Sequence, residues 1–210
     1  MFLFLAGEST NIYLGLSSLG NRVSFRQCLA YGFVGFYFSA ITPSASGGQP
    51  AQIYYMKKDG VPISHSTLSL LLNLMVFQFT MVVFAGALFL LSAKTVSQGL
   101  LHIKWLFLIG IAVNILLIGF LCLVLFSGRL ATKLVSGVIV LLTKCRLVKR
   151  PEETMSKCEA QLHAYAQGAV YIRENPRLLV KIALVSLVQI VAQASIPYFV
   201  YRGLGFSQFS

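Results

Sequence analysis

Residues Thr67 to Ala93 read TLSLLLNLMVFQFTMVVFAGALFLLSA, 27 positions without one charged side chain. About 20 residues of helix cross the hydrocarbon core of a bilayer, so this run is long enough to span it with some tilt. Two further runs share the character: Trp105 to Gly128 is 24 uncharged residues and Ile182 to Tyr201 is 20. In lipid the backbone must satisfy its own polar groups, which makes such runs helices and not open strands. Over the whole chain 57% of residues are of the hydrophobic set and 11% are charged. An ordinary soluble domain carries about a quarter charged residues. The reading is an all-α, polytopic membrane helix bundle forming one domain, 1–210.

The flanking segments complete the expected bundle. Met1 to Leu19 is apolar except for Glu8-Ser9-Thr10-Asn11. It lacks a basic leader and a small-residue cleavage site, so it reads as a span with a polar belt and not as a signal peptide. Leu19 to Arg22 is a turn, and Gln27 to Thr42, rich in aromatics and glycine, is a second, shorter span. The expected spans are therefore 1–19, 27–42, 67–93, 105–127 and 178–201. Ser64 or Ser66 is expected to cap the third. Trp105 beside Lys104 is suited to anchor the fourth at the interface, and Pro197 to bend the end of the fifth.

A net charge of +11 would suggest nucleic acid in a soluble chain, but its placement argues otherwise. Nine of the 17 basic residues fall between Gly128 and Arg177, against four acids. The positive-inside rule makes that segment a cytoplasmic loop, and no nucleic-acid-binding motif accompanies the charge. Within it, Arg129, Lys133 and Lys144 share one side of a helical wheel, which describes an interfacial helix. From Glu152 to Asn175, the positions Met155, Cys158, Leu162, Tyr165, Ala169 and Ile172 recur by threes and fours, giving a face that packs on the bundle. Alternation then puts 43–60, with Lys57 and Lys58, on the cytoplasmic side too, and the Arg22/Arg26 turn and the Lys94/Lys104 connection outside.

Chemistry-bearing residues are sparse. Cys28, Cys122, Cys145 and Cys158 show no C-x-x-C, and His65, His102 and His163 have no partner at ligand or triad spacing. No disulfide framework, metal, cofactor or catalytic residue is expected.

The most specific stretch is Thr42-Pro43-Ser44-Ala45-Ser46-Gly47-Gly48-Gln49-Pro50. Two prolines and a Gly-Gly break a helix, and Pro50 suits the first position of a short helix running to Lys58. Two readings fit. In one the break is only a tight turn. In the other Ser44, Ser46, Gly47 and Gly48 present amides and hydroxyls to an anion at the positive end of the helix, with Gln49, Gln52, Tyr55 and Lys57 close by. No Lys-Ser/Thr follows the glycines, so it is not a nucleotide P-loop. Glu8 is the single acid within a span. It is either a functional carboxylate with a partner or a wet cavity, or a residue near the end of a segment that does not span. Asn73 with Thr80, and Gln189 with Gln193, share helix faces, as helix-gluing amides or as the lining of a polar route.

The T-P-x-x-x-G-G-Q-P stretch and its continuation to Pro62 resemble the lysylphosphatidylglycerol synthase/flippase transmembrane family. The Glu8 span, the Phe77-Gln78 region and Glu174-Asn175-Pro176-Arg177 fit the same family. The resemblance extends over essentially the whole chain. It implies a flippase-like bundle for phospholipids with modified headgroups, best known for aminoacylated phosphatidylglycerol, whose display blunts cationic antimicrobial peptides. It also implies a bacterial plasma-membrane location. Family members usually carry further spans before the Glu-bearing one and a second proline-glycine motif after the fifth. This chain is therefore expected to be a fragment of a longer protein. No soluble aminoacyltransferase domain is present in it, so transferase chemistry is not expected here.

Three functional readings follow. In the first, a lipid phosphate docks at Ser44–Gln49 and Lys57, while Glu8, Asn73 and Gln189 give its headgroup a polar route. In the second, the chain is the membrane part of a phosphatidylglycerol lysyltransferase. In the third, it is a non-transporting scaffold whose basic loop binds anionic lipid. The expected partners are phospholipids, with a second copy of the chain or a separate synthase domain as protein partners.

Overall fold

The computed structural model describes residues 2–91, 101–126 and 165–204. Its helices are α1 (Phe2–Ser18), α2 (Phe25–Ile41), a 3-10 turn (Pro43–Ala45), α3 (Gly48–Lys58), α4 (Ile63–Leu91), α5 (Leu101–Phe126) and α6 (Pro176–Gly203). Residues 165–174 are helical as well. The chain is an all-α membrane bundle. By length and composition α4, the Trp105–Leu123 part of α5, and α6 can cross a membrane. Helices α1 and α2 have 17 residues each, about 25 Å of rise and the short end of the spanning range.

Local chemistry sets the boundaries. Helix α2 begins at Phe25, before the expected Gln27, because Ser24 and Gln27 form a capping box. The Gln27 amide donates to Ser24 Oγ at 3.3 Å and the Ser24 amide to Gln27 Oε1 at 2.8 Å. Helix α3 starts at Gly48, so Pro50 lies within its first turn and not at its first position, still where no intrahelical N–H is needed. Ser64 and Ser66 do not cap α4. The helix already starts at Ile63, and Ser66 Oγ donates back to the Pro62 carbonyl at 3.1 Å. Asn175-Pro176 separates the 165–174 helix from α6 as expected.

Helix α1 is the hub. It runs antiparallel to α4, with Gly15 against Ser69, Glu8 bonded to Asn73, and the Phe4 and Phe77 rings 6.5 Å apart. It is antiparallel to α6 through Asn11, which donates to Ser186 Oγ at 3.2 Å and to Gln189 Oε1 at 3.1 Å. Between helices in lipid there is no water to expel, so close packing and interhelical hydrogen bonds must hold them together. Small residues permit that approach: Gly7 meets Gln189, Gly32 meets Ser9 and Gly15 meets Ser69. One core joins Ile12, Leu16, Cys28, Tyr31, Met56, Val61 and Leu70. A second joins Leu68, Leu72, Met75 and Val76 to Leu121, Leu178 and Ile182. Leu90, Leu116 and Leu184 project outward, 75%, 74% and 60% exposed, as suits a lipid-facing surface.

The decisive topological feature is that α3 doubles back along α2. Gly48 packs on Ser39 and Gly35, and Gln52 Nε2 donates to the Tyr31 carbonyl at 3.2 Å. Further along, the Tyr31 hydroxyl donates to Asp59 Oδ2 at 2.6 Å. Helix α4 therefore starts beside the α1–α2 turn, where Asn21 meets His65 Nδ1 at 3.0 Å. That end of the bundle gathers Arg22, Arg26, Lys57 and Lys58. It also holds the 165–174 helix, whose Tyr165, Ala169 and Ile172 are buried in the core with Leu68 and Leu72.

The expected alternation is corrected in consequence. The Arg22/Arg26 turn shares an end with Lys57, Lys58 and residues 165–177, and the 43–47 break lies toward the other. Alternation assumed that every helix reverses the side, and α3 adds an uncounted return pass. The interfacial helix expected within Gly128–Arg150, and Met155, Cys158 and Leu162, lie outside the described residues.

Candidate functional site

The break is built from strained and crowded backbone. Ser44 and Ala45 both sit in the left-handed region, at φ 54° and 55°, a conformation non-glycine residues adopt at a cost. Thr42 pins the turn from both sides. Its hydroxyl donates to the Phe38 carbonyl at 2.6 Å and accepts the Gly47 amide at 2.9 Å. Gly48 is required by space: a Cβ there would stand 2.7 Å from the Gly35 carbonyl oxygen and would strike the Ser39 side chain.

Between this break and α1 lies a cavity of about 500 Å³. Helix α1 contributes Phe4, Leu5 and Glu8, α2 contributes Gly32, Gly35, Phe36 and Ser39, and the break with α3 contributes Ala45, Ser46, Gly48, Gln49, Pro50 and Gln52. The first turn of α3 leaves amides outside the intrahelical ladder, and its positive dipole end is at the cavity. A second cavity of about 100 Å³ adjoins it. Phe4, Glu8 and Gln49 line both, and Asn73, Leu74 and Phe77 close the smaller one from α4.

Glu8 is held at that junction. Asn73 Nδ2 donates to Glu8 Oε2 at 3.0 Å, and Gln189 faces the same carboxyl from α6. Gln189 in turn donates to the Phe4 carbonyl at 3.0 Å and accepts from Asn11. The contacts at Asn73 and Phe77 put the site near the middle of the 29-residue α4. Irregular backbone is tolerated at such depth where it is packed in protein or lines a wet cavity.

The residues singled out from sequence are thus divided. Glu8, Ser46, Gly48, Gln49 and Gln52 line one cavity, and Asn73 the adjoining one. Gly47 sits behind the wall against Thr42, and Ser44 is exposed in the turn away from the lining. Tyr55 pairs with Tyr54 on an exposed surface, and Lys57 is in the last turn of α3, about 14 Å along the helix from Gly48. Gln189 is fully buried while Gln193 is exposed, so the two do not share one environment. Thr80 spends its hydroxyl on the Val76 carbonyl at 2.7 Å.

Sequence reading missed Gly32, Gly35 and Ser39, although their spacing of three and four marks one small-residue face of α2. It also missed Phe4, Asn11 and Ser186. Asn11 was visible as part of the polar belt, but its partner lies 175 positions away.

A family model described as lysylphosphatidylglycerol synthase TM region matches residues 1–208. Comparisons with curated proteins and with solved structures returned no match.

Proposed function

The chain belongs to the lysylphosphatidylglycerol synthase transmembrane-region family, and from that premise we propose that it is a lipid-translocating domain for aminoacylated phospholipids such as lysyl-phosphatidylglycerol. The observation that carries the reading is the sharing of one cavity by the broken helix pair and the only acid of α1. A half-length helix whose N-terminus meets a cavity at membrane mid-depth is a recurrent way to hold an anionic group in transporters. The lipid phosphate docks against Ser46 and the amides of Gly48 and Gln49, with the polar headgroup facing Glu8 and Gln52. Lys57 has no part in that docking, being at the far end of α3.

The charge distribution supports an orientation. Arg22, Arg26, Lys57, Lys58, Arg173 and Arg177 collect at the end where α4 starts, whereas Arg202 ends α6 at the other. With that basic end in the cytoplasm, the loop 128–177 is cytoplasmic and the break faces the opposite leaflet. Display of the aminoacyl-lipid in that outer leaflet, in a bacterial plasma membrane, would lower its negative charge and weaken cationic peptides.

Reconstitution of the chain in vesicles loaded with lysyl-phosphatidylglycerol tests the reading. Headgroup exposure on the far leaflet should accelerate over empty vesicles and fall at least about tenfold with Gly48→Leu, which fills the docking wall. Equal rates for the two proteins would defeat it. A second reading, the membrane part of a phosphatidylglycerol lysyltransferase, is favoured by the wording of the family description. It predicts aminoacyl-lipid synthesis only when a transferase domain is supplied together with this chain.

A further inference from the structure

The two cavities end abruptly toward the basic end of the bundle. On each of the four helices that enclose them, one turn in that direction leads from a lining residue to a buried, largely apolar one. Glu8 is followed by Ile12 on α1 and Gln52 by Met56 on α3. Counting back toward the helix starts, Gly32 leads to Cys28 and Gly35 to Tyr31 on α2, and Leu74 to Leu70 on α4. Ile12, Cys28, Tyr31, Met56 and Leu70 form one core with Leu16 and Val61. Four residues of helix rise about 6 Å, so a closed layer replaces the polar lining within a single turn. Ala45, Ser46, Gln49 and Pro50, lining the larger cavity beside the break, are exposed. A phosphate at Ser46 and Gly48 is thus reached from the break side, and from the basic side only if this layer parts.

Helix α3 is built to part it. It has 11 residues, and each end joins the bundle through backbone suited to a hinge. Before it, Ser44 and Ala45 hold the left-handed φ of 54° and 55°, and strain of that kind clusters at switch regions. After it, Gly60 turns at φ 87°, and a Cβ there would meet nothing within 4 Å. Hinges are a few such terminal residues that absorb a change in φ and ψ. At the level of the closed layer α3 is tied to α2 by two hydrogen bonds, from Gln52 to the Tyr31 carbonyl and from the Tyr31 hydroxyl to Asp59. Both can be exchanged for water or a polar headgroup at small net cost.

We propose that Met56 and the core around it are the closed inner gate of the lipid path, and that α3 swings between the Ser44–Ala45 turn and Gly60 to open it. The inference rests on the lipid reading above, which supplies the cargo. A lipid in transit occupies space between α3 and α4 that exists only when they part, so the lipid shifts the balance toward the open gate. With the gate shut the site faces the break side alone, one of the two states of a bundle in which access alternates around a fixed site at mid-depth.

Cys28, buried within the gate, reports its opening. In a chain with Cys122, Cys145 and Cys158 changed to Ala, a water-soluble maleimide would be supplied on both sides of the membrane. In phosphatidylcholine vesicles Cys28 should stay protected, and lysyl-phosphatidylglycerol should speed its modification at least about tenfold. Met56→Ala should speed it comparably without that lipid. Ile182→Ala, a like truncation in the other core, should not. Ile12→Ala takes the place of Met56→Ala if that variant fails to fold. Rapid modification of Cys28 in phosphatidylcholine alone would mean that the layer does not seal, and would overturn the gate. So would equal acceleration by Met56→Ala and Ile182→Ala, the mark of general loosening. Translocation with Cys28 still protected removes the gate alone, whereas no translocation removes the lipid reading and the gate with it.

Discussion

Asn73 on α4 donates its amide to the Glu8 carboxylate on α1 at 3.0 Å, tying two helices together at the depth of the helix break. The bond satisfies a buried carboxyl oxygen, and a buried polar group left without its partner is costly.

Removing the donor while leaving the acid should therefore be worse than removing both. Asn73→Leu is expected to cost about 1–3 kcal/mol of stability. Adding Glu8→Leu should recover part of that loss, giving a coupling of the two sites in a double-mutant cycle. Denaturant titration in detergent micelles measures it, and strictly additive losses would mean that the contact does not form.

Gly48 fixes the spacing of α2 and α3. Gly48→Ala places a methyl 2.7 Å from the Gly35 carbonyl oxygen, and backbone yields less readily than a side chain. A loss of about 1–3 kcal/mol is expected. Gly60→Ala is a different test, because that glycine has open space but φ 87°. Its cost, about 1–2 kcal/mol, is conformational. Melting of the two variants should show both losses, and an unchanged Gly48→Ala would contradict the close approach.

Ser44 and Ala45 carry strain that glycine would relieve. Ser44→Gly and Ala45→Gly should each stabilise the fold, or leave it unchanged, by up to about 1 kcal/mol once the extra freedom of the unfolded chain is counted. A clear fall in melting temperature for both would mean that the left-handed turn is not what the folded protein holds.

The Tyr31–Asp59 bond at 2.6 Å fastens the far end of α3 to α2. Tyr31→Phe keeps the ring in its core and deletes only the hydroxyl. A loss of about 1–3 kcal/mol is expected, with proteolysis near 59–62 rising first, as the return pass loosens.

The apolar runs made the bundle legible, because the bilayer imposes length and hydropathy on each span separately. Of these runs the described parts, Thr67–Leu91, Trp105–Phe126 and Ile182–Tyr201, all fall in long helices. The S-x-x-Q box at Ser24 was legible too and was passed over. The return of α3 was not. The side it packs on α2, Gln52, Met56 and Asp59 against Tyr31 and Cys28, is a short mixed pattern indistinguishable from a surface helix. With that pass uncounted, side-by-side alternation misplaced the break. In the site, Glu8 and the Gly-Gly pair stood out as anomalies in their segments, but their meeting in one cavity depends on the pairing of α1 with α2 and α3. Lys57 was close to the glycines in sequence and remote in space, since a helix carries nine residues about 14 Å.

Everything proposed for the site depends on α3 doubling back, and cysteine accessibility tests that directly. In a chain freed of Cys28, Cys122, Cys145 and Cys158, single Arg22→Cys, Asp59→Cys and Ser46→Cys variants would be labelled in sealed vesicles with a membrane-impermeant maleimide. Arg22→Cys and Asp59→Cys should react from the same face of the membrane, and Ser46→Cys from the opposite one. Reaction of Ser46→Cys and Asp59→Cys from one face, with Arg22→Cys from the other, would contradict the return pass and the cavity built on it.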